Sequence, residues 1–332
     1  MALSNAADEG TRPTLAGQPT ALRRKWLAAV AVVITVLLWA SSFSVIRVTG
    51  EHLSAGSMAL LRVSIAAVVL LPFALRGRGS AALIPRGRSA YYVFAYGALW
   101  FAGYFVALNQ TERHVDAATA ALLINLSPLL IAVGAATFLK EDASLWLVAG
   151  TLISLAGVAV MGYGARDPDA PIRPMGIALG FVAASVYAAA VLFQKRLLVS
   201  MNMFHVTWLG CATGTLLLLP FLPSLIRELQ SSPTEAMIGG VYLGLFPTAL
   251  GFSTWAYALQ RFPASRLSSV GYLVTVLSVL MSWLFLAEIP TTMVLTGGIV
   301  CFAGVVLARR ARRPPRTIHL KGKRHWCGGG GR

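Results

Sequence analysis

Three polar or helix-breaking residues stand together inside an otherwise apolar stretch: Asn125, Ser127 and Pro128 in NLSPLL. Asn and Ser bring hydrogen-bond donors and acceptors, and Pro128 withdraws the backbone donor that would serve the carbonyl of residue 124. Ala121, Asn125, Pro128 and Ala132 recur at helical spacing and form one small, partly polar face. Such a face either contacts a solute or packs closely on a neighbouring helix through its small residues. A second stripe reads the same way: Ser268, Tyr272, Thr275 and Ser282, flanked by Ser269 and Ser278. Trp39, Tyr104, Tyr187 and Trp255 lie in other apolar runs. They could wall the same solute, form an interfacial aromatic belt, or pack as ordinary core rings. The chemistry open to this set is non-covalent recognition of a small organic molecule with an apolar part.

The titratable residues are few. Arg62 is the only ionised side chain deep in an apolar stretch, a placement that costs about 2.5–3.5 kcal/mol at a helix centre. It reads as an anion contact or gating ion pair, or as a structural arginine held by carbonyls. Glu141 and Glu288 occupy matching settings, LKED and LAEI. Each either caps the helix that follows it or couples transport to protons. His205 is a further candidate for coupling or gating. No HExxH, deep acidic pair, GxxxxGK[ST] loop or CxxC pair is present, so no metal, cofactor or ATP site is expected. A membrane-embedded enzyme acting on lipid or prenyl substrates is the alternative weighed, and it lacks convergent catalytic groups. Cys211, Cys301 and Cys327 fit no disulfide framework.

The elements that must position these residues are membrane spans. Of 332 residues 57% are hydrophobic and 12% charged, and the mean hydropathy is +0.70. Soluble domains carry about 25% charge, so an ordinary soluble protein is excluded. Uncharged runs cover 26–46, 89–111, 117–139, 143–165, 174–194, 197–226, 236–260, 267–287 and 289–308. A tenth stretch, near 54–75, is broken only by Arg62. About 20 apolar residues suffice to cross a bilayer, and ten such spans leave no room for a soluble domain. The first, preceded by Arg23, Arg24 and Lys25, reads as a retained signal anchor, since its 21-residue run exceeds a usual signal-peptide core.

The net charge of +16 by itself suggests a nucleic-acid partner. Its distribution removes that suggestion. The N-terminal arm, alternate loops and the tail hold 22 Lys and Arg, against five in the other loops. By the positive-inside rule both termini face the cytoplasm, as expected for a multi-pass protein of a bacterial inner membrane. The basic tail can also touch anionic lipid headgroups.

The chain repeats itself at an offset of 147 residues. Leu126 falls on Leu273, Glu141 on Glu288, Gly150 on Gly297, and Ala156, Gly157 and Val158 on Ala303, Gly304 and Val305. At 148, Trp39 meets Tyr187 and Pro72 meets Pro220. Each half holds five spans. Five is odd, so the second half is inverted, a ground plan of secondary transporters. Small residues in spans 5 and 10 (Gly150, Ser154, Gly157; Gly297, Cys301, Gly304) read as close helix packing, within the chain or across a homodimer.

These residues carry a family resemblance. The motifs are LLWASSFSVIR (37–47), LLRVSIAAVVLLP (60–72), and the long closing segments 125–158 and 272–307. With them the chain resembles the ten-helix drug/metabolite transporter superfamily with two EamA-type domains. The resemblance implies an all-α polytopic membrane fold with an arm at 1–25, repeats at 26–164 and 174–308, and a tail at 309–332. It implies export of small metabolites, amino acids or drugs by alternating access, through a cavity lined by helices 1, 3, 4, 6, 8 and 9. Helix 2, with Arg62, is not expected to line it. Where the family often has a second proline in helix 9, matching Pro128, this chain has Thr275, which weakens the expectation of a break at the midplane of that helix.

Overall fold

The computed structural model describes residues 18–77, 83–112, 114–115, 122–141, 144–165, 173–286 and 290–309. Ten helices follow one another: α1 (Gln18–Gly50), α2 (Ala55–Gly77), α3 (88–112), α4 (Leu122–Phe138) and α5 (Leu145–Ala165) in the first half. The second half has α6 (Pro174–Leu197), α7 (Met203–Ser231), α8 (Thr234–Arg261), α9 (264–286) and α10 (Thr292–Arg309). Among the described residues nine are long and apolar enough to cross a membrane, and α4 is a shorter apolar helix. The fold is an all-α, ten-helix polytopic membrane protein.

Lipid supplies no hydrogen-bond partners, so spans must be helical. Because lipid is as apolar as leucine, the outward faces stay hydrophobic: Val68, Leu216 and Ile299 are exposed. Inward faces are marked instead by small residues, which let backbones approach and gain dispersion contact.

Exchange of the halves maps the packing onto itself. Three helices pack on their own counterparts: α2 on α7, α4 on α9, α5 on α10. Away from that axis, α1 packs on α8 and α9, as α6 packs on α3 and α4. The α5–α10 seam is the tightest. A Cβ on Gly157 would lie 2.3 Å from the Cys301 nitrogen, and one on Gly304 would lie 2.4 Å from the Ser154 nitrogen. Ser154 Oγ donates to the Cys301 carbonyl at 3.1 Å, a contact between repeat-related positions. The glycine faces of spans 5 and 10 are therefore used within one chain.

Besides α7, which carries a 3₁₀ turn at Leu219–Phe221 around Pro220, four helices depart from regular geometry in their middles. In α4 the α-helix restarts at Ser127 after a turn at residues 125–126, with Pro128 in its first turn. In α8, residues Gly244–Leu250 form a π segment around Pro247. Pro247 has no N–H for the Leu243 carbonyl, and the Thr248 hydroxyl takes that place at 2.7 Å. The corresponding part of α3, Ala98–Tyr104, is also π; it holds no proline, and nothing in its residue types explains it. Although Thr275 stands where a second proline would, α9 is interrupted too. Ala264–Ser268 gives way to a 3₁₀ turn at Ser269–Gly271 before Tyr272–Leu286 resumes.

Candidate functional site

These interruptions converge on one cavity of about 190 Å³. A single water needs only ~10–15 Å³, so a small organic molecule fits. Its most continuous wall is aromatic. Trp39, Phe252, Trp100, Tyr187, Tyr104 and Phe105 form an unbroken chain, with neighbouring ring centroids 5.1–5.6 Å apart. The π segments set this wall: Trp100 and Tyr104 belong to that of α3, and the Trp39 indole donates to the Pro247 carbonyl in that of α8 at 3.2 Å.

The polar part lies where α4 crosses α9. Asn125 Nδ2 donates to Thr275 Oγ1 at 3.2 Å, and Thr275 Oγ1 lies 3.3 Å from Asn125 Oδ1. Ser127 donates to the Ile124 carbonyl at the restart of α4. Ser268 lies 3.4 Å from the Pro128 carbonyl. Six residues expected from the sequence (Trp39, Tyr104, Asn125, Ser127, Tyr187 and Thr275) line this space together.

Arg62 lines it as well, a correction to the expectation that helix 2 stays outside the wall. Helix phase, which no motif encoded, turns it inward. The side chain is 6% exposed; Nε donates to Thr248 Oγ1 at 2.9 Å and the guanidinium lies 5.1 Å from the Phe105 centroid.

Other expected residues lie elsewhere. Trp255 is buried behind Trp39, at 5.2 Å between centroids. Tyr272 is fully buried against Val158, Cys301 and Val305, on the α5–α10 side, and its hydroxyl has no partner among the described residues. Glu141 does cap a helix, but it caps α9 of the other half and not the helix that follows it. Its carboxylate accepts from Ala264 N at 2.8 Å, Ser265 N at 3.0 Å and Ser265 Oγ at 2.7 Å. His205 Nε2 lies 2.8 Å from the Leu83 carbonyl, tying the start of α7 to a connecting segment. Glu288 lies outside the described residues.

The sequence reading passed over Trp100, Phe105 and Phe252. One signal could have found two of them: Phe105 and Phe252 are related by the 147-residue offset. On α1 the lining runs from Trp39 to Ile46, and on α3 from Trp100 to Leu108. Both run toward the ends at Gly50 and residue 112, about 10 Å along each helix. Repeat-related positions at the other end are sealed: Val191 and Gln194, counterparts of Phe43 and Ile46, are fully buried, and Trp255, counterpart of Leu108, nearly so. That end is tied by Lys195 Nζ, which donates to the Leu259 and Phe262 carbonyls, and by the Glu141 cap. Among the described residues no group of three His, Cys, Asp or Glu could hold a metal ion.

The profile of the EamA-like transporter family matches residues 26–163 and 174–310. A protein of Streptantibioticus cattleyicolor named "probable terminal-alkyne amino-acid exporter" is 32% identical over 85% of this chain and 93% of its own. The uncharacterized transporter YdfC of Bacillus subtilis is also 32% identical, over 81% of this chain and 86% of its own. A solved crystal structure is similar with a TM-score of 0.71 at 21% identity, covering 85% of this chain and 96% of that one, a likeness of fold.

Proposed function

The chain belongs to the EamA-like transporter family, and from that premise we propose that it exports small amphipathic solutes by alternating access between its two halves. It is a multi-pass membrane protein with a secondary-transporter function. The orientation, with both termini cytoplasmic in a bacterial inner membrane, rests on the 22-to-five distribution of Lys and Arg. The observation that carries the mechanism is the one-sided cavity. Its lining extends toward one end of the bundle while the repeat-related positions at the other end are buried. In an inverted repeat the two halves can exchange those roles, and the cavity then opens at the opposite end.

The repeats at 26–164 and 174–308 act as the two exchanging units in this reading. Trp39, Tyr104, Asn125, Ser127, Tyr187 and Thr275 contact the solute, with Trp255 buttressing Trp39. The relative named as an amino-acid exporter supports amino-acid-like solutes with apolar side chains. Glu141 acts as a gate cap and not as a proton carrier, since its carboxylate is committed to backbone donors of α9. A homodimer through α5 and α10 would use their outward faces, where Leu152 and Phe302 are exposed. The test is reconstitution of the full chain into liposomes, with labelled apolar amino acids and cationic drugs on either side. Movement of at least one solute down its gradient is expected; chemical change of a lipid with no solute movement refutes the proposal.

A further inference from the structure

Arg62 is the feature of the cavity that the fold itself does not account for. A guanidinium stays charged at any working pH, and a buried cation left unpaired is strongly unfavourable. Yet no acidic side chain among the described residues forms an ion pair with it. The titratable side chains beside it are Tyr104 and Cys211, and neither is a carboxylic acid. Its one side-chain hydrogen bond among the described residues is Nε to Thr248 Oγ1. Thr248 is itself held by the Leu243 carbonyl, and the guanidinium lies over the Phe105 ring. Two fixed contacts thus orient the plane of the group, while the two Nη groups have no acceptor among the described residues on a side chain that lines the cavity.

We infer that Arg62 anchors the carboxylate of the solute, so that the substrate class is small monocarboxylates with an apolar tail; this rests on the transport reading above. A fixed fork of N–H donors matches a carboxylate in two parallel bonds. One arginine neutralises one negative charge, and the other polar groups of the wall are neutral, so a dianion would keep an uncompensated charge. Phe105, under the guanidinium, begins the chain of rings that runs through Tyr104, Tyr187 and Trp100. A tail leading away from the carboxylate therefore meets aromatic faces. Among the described residues no carboxylate lines the cavity to require an ammonium group, so an α-amino group is tolerated and not required.

The test uses the purified full chain in liposomes and four probes: L-norvaline, its amide, its methyl ester, and pentanoate. Binding is read from cavity tryptophan fluorescence and movement from counterflow of labelled norvaline. Norvaline and pentanoate should bind about 10- to 100-fold more tightly than the amide and ester, the range for a hydrogen bond to a charged group. Arg62→Gln should bring that ratio close to one, and Arg62→Lys should restore part of it. An amide or ester bound as tightly as the acid overturns the inference, as does a ratio that survives Arg62→Gln or saturable binding of none of the four. The comparison of probes on the unaltered protein decides the matter even if a variant fails to insert. Carboxylate-dependent binding without movement removes the transport reading and leaves the anchor; movement without carboxylate preference does the reverse.

Discussion

Glu141→Gln should shift the balance between the two ends of the cavity. The carboxylate of Glu141 accepts three hydrogen bonds from the start of α9, two of them on Oε2. Glutamine keeps one acceptor oxygen and presents N–H groups where the other accepted, facing donors. Hydrogen bonds to charged groups contribute about 1.5–3 kcal/mol each in favourable settings, and an N-cap contributes about 1 kcal/mol. Glu141 is half-buried, so solvent recovers part of this, and a net loss of about 2 kcal/mol is reasonable. The cap joins the end of α4 to the start of α9, across the sealed end, and it must separate when that end opens. Loss of about 2 kcal/mol from one state alone moves the ratio of states by about 30-fold. Leu259, buried at that end beside the Lys195 contact, is the reporter. Leu259→Cys, in a background with the native cysteines replaced, should react with a membrane-impermeant thiol reagent about 10- to 30-fold faster when Glu141→Gln is added. An unchanged labelling rate, with the protein folded and the cap lost, would refute the gating role of Glu141.

Other outcomes follow from the geometry. Gly157→Ala places a Cβ 2.3 Å from backbone of α10. The seam must open by about 1 Å, at a cost of about 1–3 kcal/mol, lowering the melting temperature in detergent; Gly50→Ala, with nothing within 4 Å, should not. Asn125→Ala removes the pair with Thr275 and should reduce solute flux several-fold without loss of membrane insertion. Tyr272→Phe deletes a buried hydroxyl that has no partner among the described residues, and normal flux with equal or greater thermal stability is expected. A flux defect in Tyr272→Phe, or normal flux in Asn125→Ala, contradicts these assignments.

The spans were legible because charge is expensive in lipid. Every uncharged run beyond 20 residues holds a helix in its described part. The α5–α10 contact was legible too, since Ser154 and Cys301, or Gly157 and Gly304, are small residues at one offset. The rotation of the helices was not. Hydrophobic residues cover all sides of a lipid-facing helix, so no apolar stripe reports its phase. That is why Arg62 turned out to face the cavity and Tyr272 to face away from it. The 147-residue offset relates Asn125 to Tyr272, but in the fold Asn125 meets Thr275. The interruption at Ser269–Gly271 comes a turn earlier than the position matching Pro128, and this changes the phase of α9 relative to α4. The Glu141 cap was misplaced for a different reason. A carboxylate signals that it will cap some helix, and only the tertiary fold supplies the α9 amides.

The self-paired helices α2–α7, α4–α9 and α5–α10 have a consequence for how mutations divide. When the halves exchange roles, a contact between a residue and its own counterpart is carried into itself. The seam of Ser154 and Cys301 is such a contact. It acts as a bearing: damage to it loosens both orientations equally and lowers stability without favouring either. Contacts between residues that are not counterparts, such as Glu141 with Ala264 or Trp39 with Pro247, are carried onto different residues. They act as weights on one pan of the balance, and the direction in which this protein rests is set there.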